Sequence, residues 1–106
     1  MSKPTLLNTS ILTAFGSYRY EPLTLKAARE LVAEGFVSAV GHDSTAHILS
    51  ELLGVSVPVN RFEYQQQPGE QAIVFKLKRR PPEGAILTAA EIQTMGYEFG
   101  LLTRLE

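Results

Sequence analysis

The sequence predicts an α/β (α+β) fold: a mixed β-sheet of about five strands with flanking helices. Three observations lead there. Apolar runs of strand length lie near both ends, stretches of helical periodicity lie between them, and the turn-rich "QQPGE" joins what reads as a central pair of strands. With 106 residues the chain has material for one hydrophobic core, so residues 1–106 are read as a single domain.

The elements follow in chain order. "TLLN" (5–8) is a short apolar run that passes into polar Asn8, Thr9 and Ser10, as a buried strand followed by a hydrogen-bonding loop would. "SYRYEPL" (17–23) alternates aromatic and charged residues, and Pro22 places it at a sheet edge. Thr24 caps a helix through "LKAARELVAEG", with Leu25, Ala28, Leu31 and Val32 on one face and Gly35 as the stop. A second helix follows "GHDST", with Asp43 or Ser44 as its cap, Ile48, Leu49, Leu52 and Leu53 as its buried face, and Gly54 as terminator. "NRFEYQ" (60–65) and "QAIVFKLK" (71–78) read as an antiparallel hairpin. Thr88 and Glu91 form a capping box for a short helix "AAEIQTM" ending at Gly96, and "YEFGLLTRL" closes the chain as a strand.

Composition narrows the function. Hydrophobic residues make up 44% and charged residues 20%, a globular balance that argues against a disordered chain. Ten Lys and Arg against eleven Asp and Glu supply no global positive field, so long nucleic acid is not an expected partner and any phosphate site must be local. The absence of cysteine excludes disulfides and Cys-based zinc or redox sites, which suits the cytoplasm. No stretch has the length of a membrane span or the pattern of a signal peptide, so a cytoplasmic protein is expected.

"GHDST" (41–45) puts a histidine at a helix start. The unpaired N–H groups and positive dipole end there can hold an anion, with phosphate the natural candidate. Gly41 allows close backbone approach, and Ser44 and Thr45 add hydroxyl donors. The plainer alternative is that Asp43 or Ser44 only caps the helix and His42 is a loop residue. His47 lies within the helix, and its spacing from His42 is not the i, i+4 of a helical metal pair, so neither a metal site nor another cofactor is expected.

The expected hairpin would carry Arg61 and Arg80 towards one end of the sheet, where guanidinium groups suit bidentate phosphate recognition; alternatively both are solvated strand-end cations. Glu83 follows Pro81 and Pro82, a rigid pair that fixes where its carboxylate points, unless it is an ordinary turn residue. A histidine, a carboxylate and two arginines are the parts needed to cleave RNA without a metal, with the ribose 2′-hydroxyl as nucleophile.

In the order and spacing of "GHDST", "NR" (60–61) and "R..EG" (80–84), with Asn8 in an N-terminal loop, the sequence resembles the viral-type ring nucleases. These are small type III anti-CRISPR proteins that degrade cyclic tetra-adenylate. The resemblance runs from about residue 6 to the last strand. It implies that His42 is the catalytic histidine, Glu83 the acidic active-site residue, and Arg61 and Arg80 the residues that hold the cyclic nucleotide. It also implies that Asn8, Ser10, Ser44 and Thr45 line the pocket. Thr9, Ser10 and Ile11 stand where the family has a small residue, an aromatic and a serine, and Pro81–Pro82 replaces a more flexible pair.

The same resemblance implies a homodimer that binds one ring across its two-fold axis. His42 would protonate the 5′-oxygen leaving group, and the neighbouring Glu83 would favour the charged imidazole. Two other readings are a binding module that sequesters the ring without cutting it, and a dimeric DNA-binding regulator.

Overall fold

The computed structural model describes residues 3–7, 12, 14–61, 64–78 and 89–106. The elements are β1 (Thr5–Leu7), β2 (Tyr18–Leu23), α1 (Leu25–Ala33), β3 (Val37–Ser38), α2 (Asp43–Leu53), β4 (Gln71–Leu77), α3 (Ala89–Met95) and β5 (Tyr97–Arg104). The strands form one mixed sheet in the order β2-β5-β4-β1-β3. β1 runs parallel to β3 and β4, whereas β5 runs antiparallel to β4 and β2. The five-stranded sheet with its helices is the expected class, and β2, with Pro22, occupies an edge as expected.

The two-residue period of the strands splits their side chains between two faces. Leu6, Ile73, Phe75 and Phe99 pack with the buried faces of all three helices, among them Ala28, Val32, Leu49, Leu52 and Ile92. Phe75 lies against Phe99 and Tyr97 at ring-centroid distances of 5.3 and 6.1 Å. Leu7, Ala72, Val74 and Leu102 form the other buried layer, against which Tyr18, Ala39 and Tyr64 pack. Helices on the first face thus anchor the sheet, and irregular chain helps cover the second.

Local signals account for the helix ends. The Thr24 hydroxyl oxygen accepts from the Ala27 N–H at 3.1 Å, and the Gly35 N–H donates to the Val32 carbonyl at 3.0 Å. Gly54 takes the left-handed conformation (φ 70°) that ends α2. The expected cap of α2 is corrected: His42, in extended conformation, occupies the capping position, and Asp43 and Ser44 already belong to the first turn. The reason lies in the backbone, since the His42 carbonyl accepts the first helical bond, from the Ala46 N–H at 3.0 Å.

The expected hairpin is not found among the described residues. The described residues of 60–65 form no strand, and β4 has its two sides taken by β1 and β5. Polar groups of this region are committed elsewhere: Asn60 bonds to residues 38 and 40, and the buried Gln66 donates from Nε2 to the Glu70 and Leu102 carbonyls at 2.8 and 3.0 Å. The turn itself exists. The Glu70 N–H donates to the Gln67 carbonyl at 3.0 Å, but the turn feeds β4 from irregular chain. β3 was not expected, because two residues carry no periodicity. Thr88 lies outside the described residues.

Candidate functional site

The site begins at the sheet edge formed by β3. Past Ser38, the Ala39 N–H donates to the Leu6 carbonyl at 2.9 Å, so the chain stays on the sheet before Gly41 and His42 lead it into α2. The His42 side chain makes no capping hydrogen bond. The N–H groups of Asp43, Ser44 and Thr45 precede the first helical donor, so they have no partner within the helix and face the region that an anion would occupy. His42 and Ser44 are exposed and Thr45 is half-buried.

Residues 58–61 lie alongside this entry. The Ser38 hydroxyl donates to the Pro58 carbonyl at 2.7 Å, and the Val40 N–H donates to the Ser38 hydroxyl oxygen at 3.3 Å. Asn60 donates twice, from its backbone N–H to the Val40 carbonyl and from Nδ2 to the Ser38 carbonyl, both at 2.8 Å. Arg61 then donates from Nε to the Gly41 carbonyl at 2.6 Å. Its side chain lies so close that a Cβ added at Gly41 would come within 3.2 Å of the Arg61 Cγ. Arg61 is exposed, and its Nε bond fixes the base of the guanidinium next to the residue that precedes His42.

His42, Ser44, Thr45 and Arg61 therefore gather at one helix entry. Arg61 arrives there by a route other than the expected hairpin. Asn8, Ser10, Arg80 and Glu83 lie outside the described residues, as does the expected meeting of Arg61 with Arg80. His47 sits one turn from Glu51, with Nε2 3.8 Å from a carboxylate oxygen, both side chains about half exposed. Among the described residues no cluster of three or more His, Asp or Glu is placed to hold a metal ion.

Sequence reasoning assigned no role to Ser38 or Asn60. The adjacency of Asn60 to Arg61 was visible, but the partners of Asn60 lie about twenty residues away in the chain. A separate shallow groove of about 490 Å³ is lined by Tyr20, Leu23, Leu25, Tyr97 and Phe99. It sits at the β2–β5 side of the sheet, across from β3, and shares no residue with the site around His42.

The STIV B116-like family pattern matches residues 4–99. The chain is 35% identical over 103 residues to protein YddF of Bacillus subtilis (strain 168), covering 94% of this chain and 95% of that one. It is 36% identical over 108 residues to ORF117 of Acidianus two-tailed virus, covering 95% and 92%. Its fold matches that of B116 of Sulfolobus turreted icosahedral virus with a TM-score of 0.79 and 24% identity, over 95% of this chain and 99% of B116. Strands β1 to β4, all three helices, the start of β5 and the helix-entry site fall within the matched span, and the protein belongs to the STIV B116-like family.

Proposed function

We propose that the protein is a metal-independent ring nuclease that cuts cyclic tetra-adenylate into linear di-adenylate with 2′,3′-cyclic phosphate ends. Loss of this messenger switches off the nucleases of type III CRISPR immunity that it activates, whether the role is anti-CRISPR or host reset. The observation that carries the reading is the placement at one helix entry of His42, whose side chain makes no capping bond, and Arg61, whose Nε is held on the adjacent Gly41. A proton donor and a guanidinium at a helix entry are the groups that phosphodiester cleavage requires.

In this mechanism the 2′-oxygen of one adenylate attacks its adjacent phosphorus in line. The O2′–P bond forms as the P–O5′ bond breaks, the 2′-hydroxyl proton leaves to solvent, and protonated His42 gives its proton to the departing 5′-oxygen. Arg61 and Arg80 neutralise phosphate charge, Glu83 serves as the acidic residue of the site, and Asn8, Ser10, Ser44 and Thr45 contact the ring. A two-fold homodimer presents each group twice to a near-symmetric ligand, giving two cuts on opposite sides.

The test is incubation with labelled cyclic oligoadenylates of three, four and six units in excess EDTA, followed by chromatography. Conversion of the four-membered ring to di-adenylate supports the reading. An intact ring held stoichiometrically makes the protein a sequestering module, and salt-dependent binding to duplex DNA without ring binding makes it a regulator.

A further inference from the structure

We infer that Asn60 is a positioning residue that sets Arg61 against the α2 entry and so fixes the separation of the guanidinium from His42. The inference rests on the proposed reading for its ligand, but its geometry stands without it.

Residues 38–41 and 58–61 are joined side by side although, in their described residues, they form no strand pair. Asn60 supplies two of the bonds, and it is the only residue of 58–61 that contacts two different residues of the opposing segment through these bonds. The Ser38 carbonyl can only accept, so the Asn60 amide must present its nitrogen to it. Ser38 is 5% exposed and belongs to β3, which pairs with β1, so the acceptor is fixed by the sheet.

The next residue is Arg61. With Asn60 tied at backbone and side chain, Arg61 starts from a defined point, and its Nε–H bond to the Gly41 carbonyl anchors the near end of the guanidinium. A long flexible side chain carries a large rotamer entropy, so a guanidinium held before ligand arrives avoids that cost at binding. Asn60 therefore acts through Arg61.

The test is a double-mutant cycle on ligand binding, measured in the His42→Ala background so that no turnover intervenes. Asn60→Ala is expected to weaken binding of cyclic tetra-adenylate about tenfold when Arg61 is present, and by no more than about twofold when Arg61 is already Ala. Equal losses in both backgrounds, or no loss in the first, would overturn the inference. Should Asn60→Ala fail to fold, Asn60→Ser, whose hydroxyl is too short to reach the Ser38 carbonyl, serves in the same cycle.

A second readout needs no ligand. The Arg61 Nε–H, assigned by its loss in Arg61→Ala, should show slowed exchange with water in the NMR spectrum and lose that protection in the Asn60 variant. If wild-type protein binds no cyclic tetra-adenylate but this signal responds as expected, the substrate reading fails and the positioning role stands. Unchanged protection on removal of the Asn60 amide sinks the positioning role whatever the ligand.

Discussion

Arg61 donates its Nε–H to the carbonyl of Gly41 at 2.6 Å, and its aliphatic shaft fills the space that a side chain at position 41 would occupy. The backbone at position 41 has no positive φ, so what constrains a side chain there is its neighbour. Gly41→Ala would bring a methyl within 3.2 Å of the Arg61 Cγ, and the exposed arginine can move aside. We expect stability to change by no more than about 0.5 kcal/mol, as at ordinary surface sites. Affinity for cyclic tetra-adenylate should nevertheless fall severalfold. Thermal melts and ligand titrations on one preparation check this; loss of stability with retained affinity refutes it.

His42 and Arg61 should separate in kinetics. A proton donor acts in the transition state, so His42→Ala is expected to lower kcat by about 10²- to 10⁴-fold with binding largely retained. In the proposed mechanism Arg61 grips charge that is present before and during the reaction, so Arg61→Ala should mainly raise KM. Arg61→Lys should not restore it, because an ammonium cannot bond the Gly41 carbonyl and offer a planar fork to phosphate together. Single-turnover rates and equilibrium titrations distinguish the two roles, and an equal fall in binding for His42→Ala would assign that residue to ligand grip.

Much of this arrangement was legible in the sequence because its causes are local. Four apolar positions in α2 and the stop at Gly54 follow from helical spacing, and Thr24 announces the start of α1. The alternation in 60–65 is real as a pattern, but a strand needs a free neighbour, and β1 and β5 already flank β4. Asn60 spends its donors on residues 38 and 40 instead. His42 and Arg61 were both visible as candidates, whereas the contact that brings Arg61 to the helix entry joins residues twenty apart and leaves no periodic trace.

At the far side of the sheet, Tyr20 lies over Gly100. A Cβ at Gly100 would come within 2.6 Å of the Tyr20 Oη and closer still to its ring. Gly100→Ala must therefore displace the ring, which is already 49% exposed and can swing outward, loosening its contact with Lys76, whose Nζ lies 6.0 Å from the ring centre. The expected cost is about 1 kcal/mol, at the low end for overpacking. In a Tyr20→Ala background the same substitution should cost almost nothing. Urea unfolding of the four proteins tests this coupling, and additive losses would reject it.

Tyr64 gives a pH dependence of defined sign. Burial raises its pKa from 10.0; a side-chain hydrogen bond with Thr5 opposes the shift, and the charges of Glu70 and Tyr18 reinforce it. The folded state thus holds this proton more tightly than the unfolded chain. Its contribution is fully present below the unfolded pKa of 10.0 and is lost as pH rises through the higher folded value. Tyr64→Phe cannot ionise at this position. Whatever it costs at neutral pH through the lost Thr5 bond, its unfolding free energy should fall less steeply than that of wild type above about pH 10. Urea unfolding at a series of pH values, with ultraviolet titration of the phenolate signal, measures both slopes; parallel slopes would show that Tyr64 ionises alike in the folded and unfolded chain.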